Sequence, residues 1–219
     1  MMKHVVIIGG GSPADWPDLS DYVTETTAWI GVDRGTLYGL EAGFPIMSAV
    51  GDFDSMTEEE YSRLLDKVPD VSRCQAEKDD TDTHLGLLKA HELYPEAEYI
   101  LIGMTGGRLD HFLTNLWMPL EPRFTPIMSQ IKLLDDQNSI HYFEPGSYVI
   151  EKELDKKYLA FVCLTGVEKL TLSDVKYQLT ERDFMHPVSL SSNEFLDKPG
   201  KFSFSSGIMC VIQSRDKRK

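Results

Sequence analysis

The sequence is short of positive charge and of cysteine, and it has no long apolar run. Lys and Arg total 22 against 35 Asp and Glu, a formal net charge of −13. Proteins that work on nucleic acid or an anionic membrane need clustered Lys and Arg to replace phosphate counterions, so no nucleic acid and no membrane partner is expected. Cys74, Cys163 and Cys210 are an odd number at wide, patternless spacing, which fits neither a disulfide framework nor a zinc site. A reduced protein in the cytoplasm is the expectation. No apolar stretch approaches the ~20 residues needed to cross a bilayer. The run Val5-Val6-Ile7-Ile8 is too short for a signal segment and leads into Gly9-Gly10-Gly11 without a cleavage pattern, so it reads as a buried strand. That glycine loop lacks both G-x-G-x-x-G and the Walker lysine, so it does not identify a nucleotide fold.

What is present is enough for one large domain or two small ones: 219 residues, 42% of them apolar. Up to about residue 120, apolar runs alternate with segments of helical character, the pattern of a mainly parallel, Rossmann-like sheet with crossover helices. The runs are Val5 to Ile8, Ala28 to Val32, Ile46 to Val50, Val71 to Cys74 and Tyr99 to Ile102. Ser55 and Thr57, each with a Glu three positions on, predict a helix from about Thr57 to Lys67. A second helix is expected from Thr83 to Tyr94, with Leu85, Leu88 and Leu93 near one face.

From about Pro126 the texture becomes short alternating strands with turn signals such as Glu144-Pro145-Gly146 and Lys198-Pro199-Gly200, which predicts an all-β sandwich. Strands are expected at Ile131 to Leu134, Ser139 to Phe143, Tyr148 to Glu151 and Tyr158 to Cys163, then at Glu168 to Leu172, Lys176 to Leu179, Lys201 to Phe204 and Ile208 to Ile212. The proline-rich stretch Met118 to Pro126 reads as a linker, which gives an α/β domain over 1–122 and a β-sandwich domain over 126–219.

Carboxylates recur at the ends of the apolar runs: Gly51-Asp52-Phe53-Asp54-Ser55, then Lys78-Asp79-Asp80-Thr81-Asp82, then Gly106-Gly107-Arg108-Leu109-Asp110-His111. In an extended segment Asp52 and Asp54 would point the same way, roughly 7 Å apart, with Phe53 turned to the core. Two carboxylates on one face repel unless a cation relieves them, and carboxylate oxygens suit Mg²⁺ completed by substrate phosphates. Asp52, Asp54 and Asp82 are therefore the expected metal ligands. The plain alternative is that each acid caps a helix or closes a turn. Gly106, Gly107 and Arg108 fall between a strand and a helix, where backbone N–H groups and a guanidinium fork can receive phosphate; the alternative is an ordinary turn with Asp110 as N-cap. In open α/β sheets ligands bind outside the carboxyl ends of the strands, where Asp33-Arg34-Gly35 also falls.

Taken in order, Asp33-Arg34-Gly35, Gly51-Asp52-Phe53-Asp54-Ser55, Asp80-Thr81-Asp82 and Gly106-Gly107-Arg108-Leu109-Asp110-His111, followed by Leu190-Ser191-Ser192-Asn193-Glu194-Phe195, resemble the thiamine pyrophosphokinase family over nearly the whole chain. Arg34 stands where that family often has Gly, and Lys78 where Gln is common. The resemblance implies an ATP- and Mg²⁺-binding α/β catalytic domain followed by a thiamine-binding β-sandwich. It also implies transfer of a diphosphoryl group from ATP to the thiamine hydroxyl, with release of AMP, by a homodimer.

On that reading Asp52, Asp54 and Asp82 hold Mg²⁺, while Arg108 and Lys78 take the remaining phosphate charge. Asp33, Thr81, Gly106 and Gly107 contribute to the nucleotide site, and Asp110 orients or deprotonates the hydroxyl. Ser192 and Asn193 meet the thiamine pyrimidine. A metal-dependent phosphohydrolase and a nucleotide-binding sensor without turnover are the competing readings, since fold alone does not select among them.

Overall fold

The structure is a computed structural model, and it describes residues 1–74 and 79–217. The chain forms two compact units, Met1–Met118 with Lys132–Asp136, and Pro119–Ile131 with the chain from Gln137 onward.

The first unit is built from strand–helix alternation: β1 (His4–Ile8), β2 (Thr27–Val32), α1 (Arg34–Glu41), β3 (Ile46–Gly51), α2 (Glu58–Lys67), β4 (Asp70–Arg73), α3 (Asp82–Leu93), β5 (Glu98–Ile102), α4 (Leu109–Trp117) and β6 (Ile131–Leu134). Its strands lie in the order β6-β5-β1-β2-β3-β4, and the pairs β5/β1, β1/β2, β2/β3 and β3/β4 are parallel. Parallel strands covered on both faces need apolar side chains throughout, which is why Val5 to Ile8 and Tyr99 to Ile102 are almost fully enclosed. Trp29 of β2 stacks on Phe44 with ring centroids 4.0 Å apart and packs with Leu37 and Ile46 on one side of the sheet.

The capping box predicted for α2 is present: Thr57 Oγ1 accepts from Glu60 N at 3.2 Å and Glu60 Oε2 accepts from Thr57 N at 2.9 Å. α3 differs in its buried face. His84, Leu87 and Ala90 are enclosed, while Leu85 and Leu88 are half-buried and Leu93 is 40% exposed. The helix begins one residue earlier than expected, and its inward stripe runs through His84, Leu87 and Ala90 instead of the predicted leucines.

The second unit holds β7 (Asn138–Phe143), β8 (Gly146–Ile150), β9 (Tyr158–Cys163), β10 (Val167–Ser173), β11 (Leu179–Phe184), β12 (Val188–Glu194), β13 (Gly200–Phe204) and β14 (Met209–Ser214). They form two antiparallel sheets, β12-β9-β14-β7 and β11-β10-β13-β8. The sheets enclose a core in which Phe202 of β13 meets Phe143 at 5.0 Å and Phe161 at 5.3 Å from the opposite sheet and Tyr148 at 5.1 Å from its own.

Two local expectations change here, and one strand, β12, was not foreseen. Lys176 to Leu179 is not a strand; the ladder resumes at β11, whose central residues are exposed and polar and so leave no alternation to read. β12 carries no apolar period either, because it contains a bulge: Leu190 pairs with Phe161 and Asn193 with Leu159, leaving one extra residue on β12. The stretch read as a linker is packed instead. Short 3₁₀ turns occupy Met118–Leu120 and Thr125–Gln130, and Phe124 and Met128 between and within them are fully buried.

Candidate active site

The carboxyl ends of β2 and β3 and the start of α3 bring Asp52 and Asp82 within electrostatic reach of Asp33. Asp33 follows β2 and adopts φ 45° and ψ −130°, a backbone conformation that costs a non-glycine residue roughly 1–3 kcal/mol. It is held there by its N–H, which donates to Val50 O at 3.0 Å, and by its Oδ1, which accepts from Phe53 N at 3.4 Å. Gly51 lies so close that any side chain there would run into the Asp33 carboxylate.

Asp52, Phe53 and Asp54 form a turn, not the extended segment expected. β3 ends at Gly51, Phe53 has φ 57°, and Asp52 Oδ1 accepts from Asp54 N at 3.0 Å. Strict alternation therefore does not set the direction of the two carboxylates. Phe53 still reaches the core, buried beside Tyr61 with centroids 5.5 Å apart, so the turn is fixed by its apolar residue. Asp52 is half-buried and Asp54 exposed.

Asp82 opens α3, and Thr81, expected at the nucleotide, is its N-cap: Thr81 Oγ1 accepts from His84 N at 3.4 Å. Burial, then the negative charges of Asp82 and Asp52, push the Asp33 carboxyl up to about 7, against a single opposing hydrogen bond from Phe53 N–H. Negative charge thus accumulates at this point. Among the described residues, no three His, Cys, Asp or Glu side chains already enclose one ion position. An all-carboxylate set that crowds charge without closing a cage fits a hard cation that keeps water or ligand oxygens in its shell, the coordination habit of Mg²⁺. The sequence placed Asp33 among nucleotide contacts; its proximity to Asp82 needed the fold.

Beyond β5, Gly106 (φ 74°) and Gly107 (φ 63°) take left-handed conformations and face open space. Buried Asn115 of α4 ties this loop down by donating from Nδ2 to Met104 O at 3.0 Å. Arg108 is the N-cap of α4 but makes no side-chain cap bond; Asp110 lies inside the first turn and is not the cap. Arg108 and Asp110 instead pair with each other, Nη2 to Oδ2 at 2.6 Å, both well exposed. His111 is exposed on the same turn. Lys78 lies outside the described residues.

Ser192 and Asn193 belong to the second unit, at the β12 bulge. Ser192 is exposed with φ 62°, and Asn193 is buried. Asn193 Nδ2 donates to Tyr177 O at 2.8 Å, and its Oδ1 accepts from Tyr177 N at 2.9 Å. The amide is therefore committed to backbone, which leaves Ser192 as the accessible member of the pair.

Comparison with known proteins is consistent across the chain. The family model described as "Thiamin pyrophosphokinase, catalytic domain" matches residues 19–131, and that described as "Thiamin pyrophosphokinase, vitamin B1 binding domain" matches residues 147–209. A Bacillus subtilis protein named thiamine pyrophosphokinase is 42% identical over 217 residues, 98% of this chain and 100% of that protein. A crystal structure of a thiamin pyrophosphokinase family protein from Enterococcus faecalis is 49% identical with a TM-score of 0.93, covering 98% of this chain and 100% of that one. Thiamin pyrophosphokinase from Candida albicans shares the fold at 13% identity, with a TM-score of 0.78 over 98% of this chain and 90% of that one.

Proposed function

The chain belongs to the thiamin pyrophosphokinase family, and on that premise we propose how its residues divide the work of moving a diphosphoryl group from ATP to the hydroxyl of thiamine. The products are thiamine diphosphate and AMP, and the enzyme is a diphosphotransferase. The observation that carries the site assignment is the carboxylate cluster around Asp33, where burial and the nearby Asp82 and Asp52 charges raise the pKa of the Asp33 carboxyl.

Mg²⁺, held by Asp52, Asp54 and Asp82 with Asp33 beside them, would supply charge neutralisation to the polyphosphate. The remaining work falls to the chain itself. Gly106 and Gly107 leave room for phosphate oxygens to approach the backbone at the start of α4, and Arg108 adds a fork that matches them bidentately. Asp110 orients the attacking hydroxyl. Removal of its proton is a weaker role for it, because the Arg108 guanidinium holds its carboxyl below the usual range. Ser192 presents its hydroxyl to thiamine from the second unit, with Asn193 fixing the bulge that carries it.

The domain roles follow the same division, nucleotide and metal in the α/β unit and thiamine in the β unit. A homodimer is supported by α4, whose Leu109, Leu113 and Trp117, spaced four residues apart, are 76%, 38% and 51% exposed. The cytoplasm is the expected compartment, consistent with buried free thiols at Cys163 and Cys210. Among the described residues, no helix is long and apolar enough to cross a membrane.

The test is an assay for AMP from ATP with and without thiamine, at varied Mg²⁺. AMP that forms only with thiamine and Mg²⁺ supports the reading. Phosphate release that ignores thiamine would make the protein a phosphohydrolase, and nucleotide binding without any AMP would make it a sensor.

A further inference from the structure

Arg34 is the first residue of α1, where a positive charge opposes the helix dipole. The first turn of α1 holds no acid to offset it. A residue placed against its local preference points to a partner elsewhere in the fold, and Arg34 has two. Its Nη1 donates to Glu60 Oε1 at 3.3 Å and its Nη2 to Glu60 Oε2 at 3.4 Å, while Nη2 also donates to the backbone carbonyl of Ser55. Ser55 directly follows Asp54. Glu60 in turn is the capping-box residue that fixes Thr57 N.

The turn bearing Asp52 and Asp54 is thereby held from both sides. At its start Cys74 N donates to Gly51 O at 2.8 Å, and Phe53 is sunk in the core. At its end Arg34 grips Ser55 and, through Glu60, Thr57. A fully exposed ion pair contributes little, because water screens it. Here both side chains are only about a third exposed, at 32% and 35%, and the same guanidinium also takes a main-chain oxygen of the turn. That second bond converts an ion pair into a brace on the backbone beside Asp54.

We propose that Arg34 is a positioning residue for the metal-facing carboxylates, acting through Ser55 and Glu60 and touching neither nucleotide nor thiamine. The inference rests on the reading of Asp52 and Asp54 as metal ligands. Partners behind the ligating groups commonly change metal affinity by about 10–100-fold when removed.

The experiment measures Mn²⁺ binding to the substrate-free full-length protein by electron paramagnetic resonance, alongside steady-state kinetics. Arg34→Ala is expected to weaken Mn²⁺ binding about tenfold and to raise the Mg²⁺ requirement for AMP formation in parallel, with the thiamine KM within about twofold of wild type. Arg34→Lys, which keeps the charge but loses the fork, should fall between. Glu60→Gln should shift Mn²⁺ binding in the same direction, and the double variant should be no worse than Arg34→Ala alone, with circular dichroism confirming folded protein throughout. An Arg34→Ala protein that binds Mn²⁺ normally but needs more ATP would place the guanidinium on the nucleotide and overturn the positioning role. Wild-type protein that binds Mn²⁺ and makes AMP beside an unaltered Arg34→Ala variant overturns that role alone. Wild type that does neither overturns the metal reading with it.

Discussion

Arg108 and Asp110 are joined by two hydrogen bonds, Nε to Oδ1 at 3.1 Å and Nη2 to Oδ2 at 2.6 Å. Two residues assigned to opposite ends of the reaction, one to phosphate and one to the alcohol, therefore neutralise each other before substrates arrive. Phosphate binding must share or break this pair.

The pairing sets a pH expectation. Arg108 lowers the Asp110 pKa, so the carboxylate is ionised at neutral pH and the pair is lost only as pH falls through that depressed value. The kcat/KM profile for thiamine should show no ascending limb from Asp110 between about pH 6 and 9, well above a carboxylate's range. Asp110→Asn should lower kcat without moving any limb of that profile. A limb near neutrality that vanishes in the variant would restore Asp110 as the base.

Loss of a carboxylate proposed to hold Mg²⁺ should be severe and local. Asp54→Ala and Asp82→Ala are each expected to abolish Mg²⁺-dependent AMP formation while far-ultraviolet circular dichroism remains that of the folded protein. Retained activity in both would remove these residues from the metal site.

Ser192 and Asn193 should separate by readout. Ser192 is exposed, so Ser192→Ala should raise the thiamine KM more than the ATP KM with little change in stability. Asn193→Ala removes a buried amide together with both of its bonds to the Tyr177 backbone, and should lower the urea midpoint as well as thiamine affinity. Equal stability loss in the two variants would contradict the division of roles.

The three thiols should differ in reactivity. Burial pushes Cys163 up to about 11 and Cys210 up to about 12, so neither supplies thiolate near pH 8. Cys74 is half-buried. Titration of the native protein with a disulfide reagent at about pH 8 should modify Cys74 alone, with the other two reacting after denaturation.

If the α4 stripe joins two copies, Trp117→Glu should reduce the sedimenting mass towards a monomer. Mass unchanged by the variant would move the interface elsewhere.

How much of this was legible beforehand follows from where side-chain pattern controls structure. β1 and β5 are buried on both faces, so their apolar runs declared them; Thr57 and Glu60 declared α2 by mutual capping. β11 and β12 were hidden because their residues face outward or break register at a bulge, leaving main-chain pairing as the signal. At the site, residue identity located the acids, but the turn at Phe53 replaced the expected alternation. The grip of Arg34 on Ser55 and the crowding of Asp33 by Asp82 join residues distant in sequence, and no local pattern encodes them.

The strand order of the first unit also dictates when the enzyme can be assembled during synthesis. β1 emerges first and occupies the middle of its parallel neighbours, yet His4 pairs with Glu98 on one side and Thr27 on the other. The β2 edge can be satisfied early, whereas the β5 edge stays bare until most of the unit has left the ribosome, at about 5–20 residues per second. Pairing across so long a separation raises the contact order, so the β1–β5 ladder forms later than the β1–β2 ladder. Gly106 and Arg108 lie just past that strand, which couples ordering of the loop proposed to receive phosphate to completion of the β1–β5 ladder.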